Sequence, residues 1–165
     1  RWERKWDEAG QPFRDISEYP SLSVATTSVH DSSTLRGWWE NEGGAADFLA
    51  YRTPEADGYP SGTSAAFARG YGTETAAWLL KILARANSDV LSVPIQDFLA
   101  LVDDYAPKDA NSERVNVPGS VNAFNWTYRI PATVEKLAKN KKLITAIADA
   151  LKERRARPSA KGASK

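Results

Sequence analysis

Ser23-Val24-Ala25-Thr26-Thr27-Ser28-Val29-His30-Asp31 is a run of small and β-branched residues that stops at a polar pair. β-Branched side chains suit a pleated, packed surface, so the run predicts a strand. Val24, Thr26 and Ser28 would share one face and Ala25, Thr27 and Val29 the other. Neither face is charged, which is the pattern of a parallel sheet covered on both sides. His30 is the only histidine of the chain. Asp31, Ser32 and Ser33 are all able to cap a short helix expected from about Thr34 to Glu40, with Trp38 and Trp39 on it. The stretch therefore predicts a buried strand that delivers one His-Asp pair to a site, with a helix closing behind it.

Working outward, Thr73 to Ala86 carries Trp78, Leu79, Leu80, Ile82 and Leu83 on a wide apolar stripe, with Thr73 as a cap and Glu74 at the positive end. Val90 to Ile95 is a second uncharged strand, ended by Gln96-Asp97 as the first is ended by His30-Asp31. Strand, helix and strand in this order predict a βαβ unit with a right-handed crossover. A helix from Phe98 to Tyr105 follows. Residues 45–71 are rich in Gly, Pro and Ser, with short helices near Ala45–Tyr51 and Ser64–Arg69, and read as a lid or as a plain surface excursion. Arg1 to Pro20 is an irregular lead-in, and Pro107 to Trp126 is loop-like. Pro131 suits the first turn of a helix reaching Lys139. Leu143, Ile147 and Leu151 mark an amphipathic helix to about Arg157.

Two parallel strands do not make a stable sheet alone. An eight-stranded barrel takes about 250 residues, each strand followed by a helix. The expected fold class is therefore α/β, as the C-terminal part of a (β/α)8 TIM barrel. Residues 1–157 would form that segment and 158–165 a disordered tail. On such a barrel the active site lies at the C-terminal ends of the strands, where His30-Asp31 and Gln96-Asp97 fall.

Composition narrows the chemistry. The 22 basic and 21 acidic residues leave a formal charge of +1, which offers no electrostatic footprint for nucleic acid or an anionic membrane. No apolar run approaches the ~20 residues of a spanning helix. The chain has no cysteine, so disulfides and thiolate metal sites are excluded, and one histidine argues against a His-based centre. No metal and no cofactor is expected, and the lack of cysteine fits a cytoplasmic location. Methionine is absent even at position 1, so the chain is expected to be a fragment or a processed piece. The six Trp and six Tyr residues suit either a core or the stacking faces of sugar rings.

Adjacent His and Asp side chains on a strand diverge, so His30 and Asp31 are not expected to pair as members of a relay. If the backbone turns at Asp31, the two offer an acceptor and a donor to vicinal sugar hydroxyls. The competing reading makes Asp31 the cap of the next helix and His30 a core residue. Glycosidic cleavage needs two carboxylates across the bond. The second one at a strand end is Asp97, for which capping the helical run that follows is the favoured role. No phosphate loop, dinucleotide fingerprint or serine elbow is present.

Three ordered motifs carry a resemblance. Ser23 to Asp31 with Thr34-Leu35-Arg36-Gly37-Trp38-Trp39 resembles the seventh barrel strand and following loop of amylomaltases, the 4-alpha-glucanotransferases or disproportionating enzymes of glycoside hydrolase family 77. Val93-Pro94-Ile95-Gln96-Asp97-Phe98-Leu99-Ala100-Leu101 is similar to their eighth strand. Arg114-Val115-Asn116-Val117-Pro118-Gly119 with Asn125-Trp126-Thr127-Tyr128-Arg129 is similar to their C-terminal loop. The resemblance implies retaining transfer of α-1,4-glucan segments between malto-oligosaccharides, starch or glycogen chains, through a glucosyl-enzyme intermediate. It implies that Asp31 is the carboxylate that grips the reacting sugar, that His30 assists at the same ring, and that Asn116 lines the donor-side cleft. Trp38 and Trp39 would shape the loop. The family's nucleophile and acid/base lie on earlier strands, so the partners implied are α-1,4-glucans and the missing N-terminal part of the barrel, and the chain alone would be inactive. A starch hydrolase of the same barrel clan and a non-catalytic glucan-binding piece are the alternatives.

Overall fold

A computed structural model describes residues 2–155. It contains a parallel pair, β1 (Val24–Thr26) and β2 (Val90–Ser92), with Val24, Ala25 and Thr26 opposite Val90, Leu91 and Ser92. Four α-helices, the last of them α4 (Thr73–Ala84), lie between the strands along the chain, so the expected parallel pairing forms across a longer helical crossover than the single helix of a βαβ unit. Both strands are shorter than the apolar runs that contain them. Among the described residues the sheet has two strands only, and a ladder ends where no partner backbone continues it.

The expected cover on both faces is not found. Ala25 is buried, but Val24 is 60% and Val90 52% exposed. Within the described residues helices cover one side of the pair, and Val24 and Val90 stand side by side in register on the open side.

Helices α1 (Leu35–Asn41) and α2 (Gly44–Tyr51) form the first half of the core. They meet at Gly43-Gly44. Gly43 sits at φ 76, which a glycine adopts freely. A Cβ on Gly44 would fall 2.5 Å from the indole of Trp38, so only glycine lets α2 approach that ring. Trp38 stacks on Trp2 at 5.6 Å, and Phe48 meets Trp2, Trp38 and Trp78 edge-on or tilted. Trp38 and Trp39 are buried in the core.

The Gly- and Pro-rich passage is packed rather than lid-like. It contains α2, a 3-10 turn at Pro54–Asp57 and α3 (Thr63–Ala68), and it buries Phe48 and Phe67 in the common core. Helix α4 is apolar nearly all round, burying Trp78, Leu79, Leu80, Ile82 and Leu83. Its cap position is Gly72 rather than Thr73, and it ends two residues earlier than its apolar pattern suggests.

After β2, Pro94 cannot donate to a ladder and holds φ at −56. Helix α5 (Ile95–Leu99) therefore starts where the second strand was expected to continue, with a 3-10 turn at Asp103–Tyr105 beyond it. Gln96 and Asp97 lie in the first turn of α5, not at a strand end. Another 3-10 turn at Ala110–Glu113 leads into the loop that carries Asn116. The chain closes with α6 (Val134–Lys139), capped by Thr133 rather than started at Pro131, then α7 (Lys141–Ala150) and α8 (Lys152–Arg155). The tail expected at 158–165 lies outside the described residues. Among those described, no helix is long and apolar enough to cross a membrane.

Candidate functional site

Beyond β1 the chain turns. The amide of Ser32 donates to the carbonyl of Val29 at 3.0 Å, and the Ser32 hydroxyl accepts from the Val29 amide at 3.0 Å. His30 and Asp31 occupy this turn, so their side chains do not diverge as they would on a strand. His30 Nε2 lies 3.3 Å from Asp31 Oδ1, with the two side chains 56% and 48% exposed. The expectation that they could not meet fails because the extended backbone has already ended at Thr26.

Asn116 arrives from the opposite end of the sequence. Its Nδ2 donates to Asp31 Oδ1 at 2.7 Å, and its backbone amide donates to the carbonyl of His30 at 3.1 Å. The Arg114 guanidinium donates to the Asp31 carbonyl at 3.3 Å. All three residues singled out from the sequence are thus in one place, with Asp31 at its centre. An ionised carboxylate offers about four acceptor positions, so a half-exposed Asp31 still has capacity for hydroxyl donors from solution.

The competing roles for this pair are filled by other residues. Thr34, not Asp31, caps α1, its side chain accepting from the Gly37 amide at 3.2 Å. His30 is exposed, so it is no core residue.

Asp97 does cap a helix, but not its own. It is 1% exposed and accepts from the Leu35 amide at the start of α1 at 2.9 Å, and from the hydroxyls of Thr27 and, at 3.4 Å, Ser28. It is therefore closed off from any substrate and fixes both ends of the segment that holds His30-Asp31.

Glu113 went unnoticed in the sequence, although it immediately precedes the Arg114–Asn116 motif. It is buried, takes the Thr34 hydroxyl at 3.2 Å on Oε2, and its carbonyl takes Gln96 Nε2 at 3.2 Å. With Ser28, His30, Pro94, Gln96 and Val115 it lines a pocket beside the His-Asp turn. Burial pushes its carboxyl up to about 7, with Asp97 adding like-charge pressure and the Thr34 hydroxyl opposing it. A folded pKa raised above the ordinary 4.5 contributes stability that is full below 4.5 and lost as pH rises through about 7. Urea denaturation of Glu113→Gln should accordingly show a flatter stability profile between about pH 5 and pH 8 than the parent chain. Parallel profiles would remove Glu113 as the source of that slope.

Trp126 belongs to the third of the sequence motifs. Its ring centroid lies 5.2 Å from that of His30, at an interplanar angle of 37°. Among the described residues no cluster of His, Cys, Asp and Glu could hold a metal ion.

Comparison with known proteins adds a family. The profile described as 4-alpha-glucanotransferase matches residues 1–135. A 4-alpha-glucanotransferase of Chlamydia pneumoniae is 34% identical over 143 residues, covering 86% of this chain and 25% of that protein. One from Chlamydia trachomatis is 33% identical over 143 residues, covering 87% and 25%. The 4-alpha-glucanotransferase DPE2 of Oryza sativa subsp. japonica is 30% identical over 141 residues, covering 86% of this chain and 14% of that protein. The chain thus spans about a quarter of the length of its chlamydial relatives.

Proposed function

Since the chain belongs to the 4-alpha-glucanotransferases of glycoside hydrolase family 77, we propose that it supplies the sugar-gripping wall of a retaining glucanotransferase site. Residues 1–157 would form the seventh and eighth units of the barrel, β1 and β2 being those strands. In support, the strands are parallel, and Val24 and Val90 leave an apolar face of the pair uncovered. Asp31 holds hydroxyls of the glucosyl unit at the cleavage point and stabilises its oxocarbenium-like state. His30 donates to the same ring, while Asn116 orients Asp31 and lines the cleft. The nucleophile and the acid/base come from outside these residues. Asp97 and Glu113 are buried and engaged with the scaffold, which leaves neither placed to attack an anomeric carbon.

The observation that carries the proposal is the convergence of His30, Asp31 and Asn116 where the backbone leaves β1. α-1,4-Glucans are the substrate class, and glucan chains exchange through attack by a second glucan's 4-hydroxyl.

The test is a maltotriose assay with product analysis, on the 165-residue chain and on the complete protein with and without Asp31→Asn. The chain alone should release no glucose. The complete protein should yield glucose together with longer glucans, and Asp31→Asn should lower turnover by on the order of a hundredfold, the scale of one lost electrostatic contact at a reacting centre. Turnover by the chain alone would sink the division of labour. Unchanged activity in Asp31→Asn would sink its role, and shorter sugars only would mark a hydrolase.

A further inference from the structure

We propose that Trp126 is a sugar-stacking platform of this site, holding the apolar face of a glucosyl ring whose hydroxyls meet His30, Asp31 and Asn116. The inference rests on the functional reading above and extends it to a residue outside the polar set.

Four of the six tryptophans, Trp2, Trp38, Trp39 and Trp78, are buried in the core. Trp126 is 63% exposed, and its indole stands beside the imidazole of His30. Trp6 is comparably exposed, but it sits in the N-terminal lead-in and spends its indole N–H on Glu3 at 3.1 Å. An apolar surface of that size facing water next to three convergent polar groups is what a pyranose needs. Its CH faces lie on an aromatic plane, and its equatorial hydroxyls reach acceptors and donors at the rim.

The backbone supports the same conclusion. Trp126 holds φ at 66, a left-handed conformation that a bulky residue rarely keeps unless the surroundings impose it. Here they do. The Trp126 amide donates to the carbonyl of Val115 at 2.7 Å. Asn125 accepts from the Val117 amide at 3.0 Å and donates to the carbonyl of Ser120 at 3.0 Å. The loop is closed on Val115 and Val117, the two neighbours of Asn116. One set of hydrogen bonds therefore sets both the amide that orients Asp31 and the plane beside His30. Apolar plate and polar edge are built as one unit, and the indole faces solvent rather than the core.

The experiment compares Trp126→Gly, Trp126→Phe and Asp31→Asn in the complete transferase, by initial rates of glucose release from maltotriose. Glycine removes the ring but relieves the left-handed φ, so a defect there cannot come from backbone strain. We expect Trp126→Gly to raise KM by roughly tenfold, the scale of a lost stacking contact, with a smaller change in kcat. Trp126→Phe, which keeps a flat face, should recover most of that loss. Wild-type KM in Trp126→Gly alongside an impaired Asp31→Asn would overturn the platform and leave the functional reading standing. Full activity in both would overturn the two together. A kcat loss in Trp126→Gly with unchanged KM would also count against the platform, since it would mean that the ring does not bind substrate.

Discussion

Replacing Asp97 with alanine should cost about 3–5 kcal/mol, the scale of leaving two or more buried donors without their acceptor. That is a large part of the ~5–15 kcal/mol available to a domain of ordinary stability. The reason is where its donors sit. Leu35 and Thr27 are fully buried, and the Leu35 amide is the first of α1, so no water can replace the carboxylate that satisfies them. Each orphaned buried donor costs about 1–3 kcal/mol. The loss also reaches the site, because Asp97 holds the end of β1 and the start of α1, and the His30-Asp31 turn is strung between them. Urea denaturation followed by far-UV circular dichroism would measure the loss. Asp97→Asn retains one acceptor and should fall between the two. A shift below about 1 kcal/mol in Asp97→Ala would show that the two ends are held by something else.

The distinction between Asp97 and Asp31 marks how far the sequence could be read. Periodicity is a local property, so the strand of Val24, the helix of Trp78 and the second strand beyond it could be inferred from spacing alone. The placing of His30, Asp31 and Asn116 together came from family motifs, because Asn116 is far from the pair in sequence and no spacing rule links them. Asp97 is a cap, but local reasoning assigns a cap to the helix that follows it, and α5 is not the helix it caps. Its true target lies 62 residues back, and only the packing of β1 beside β2 brings the two together. Glu113 and Trp126 escaped for a related reason. Burial of a carboxylate and exposure of an indole are set by tertiary packing, and Glu113 in a short 3-10 turn and Trp126 in a loop have no period to read. The strands are shorter than their apolar runs because a β-branched run states preference, whereas a ladder needs a partner.

Asp57→Asn should be the second large effect, and its signature is in pH. Asp57 ends the 3-10 turn after α2 and is almost fully enclosed. It accepts from Arg52 Nε and Trp78 Nε1, both at 2.8 Å, and from Arg85 at 3.0 Å, with a further bond from the second nitrogen of Arg52. This clamp joins the Gly- and Pro-rich passage to α4, which is why that passage packs instead of swinging free. The Arg52 guanidinium foremost, then Trp78 and Arg85, hold the Asp57 carboxyl well below its ordinary 3.8 against the opposing effect of burial. A depressed folded pKa means stability that is present above the unfolded value and lost as pH falls toward the folded one. At pH 7 the variant should be less stable by about 2–3 kcal/mol, below the full figure for a buried pair because both arginines are partly exposed. On acidification below about pH 4 the unfolded parent takes up a proton that the folded clamp still refuses, so the parent's advantage shrinks while the variant has none to lose, and the gap between them should narrow. Denaturation of both proteins at pH 7, 4 and 2.5 tests this directly. Curves that stay the same distance apart down to pH 2.5 would mean that the Asp57 carboxylate is not what joins the two segments.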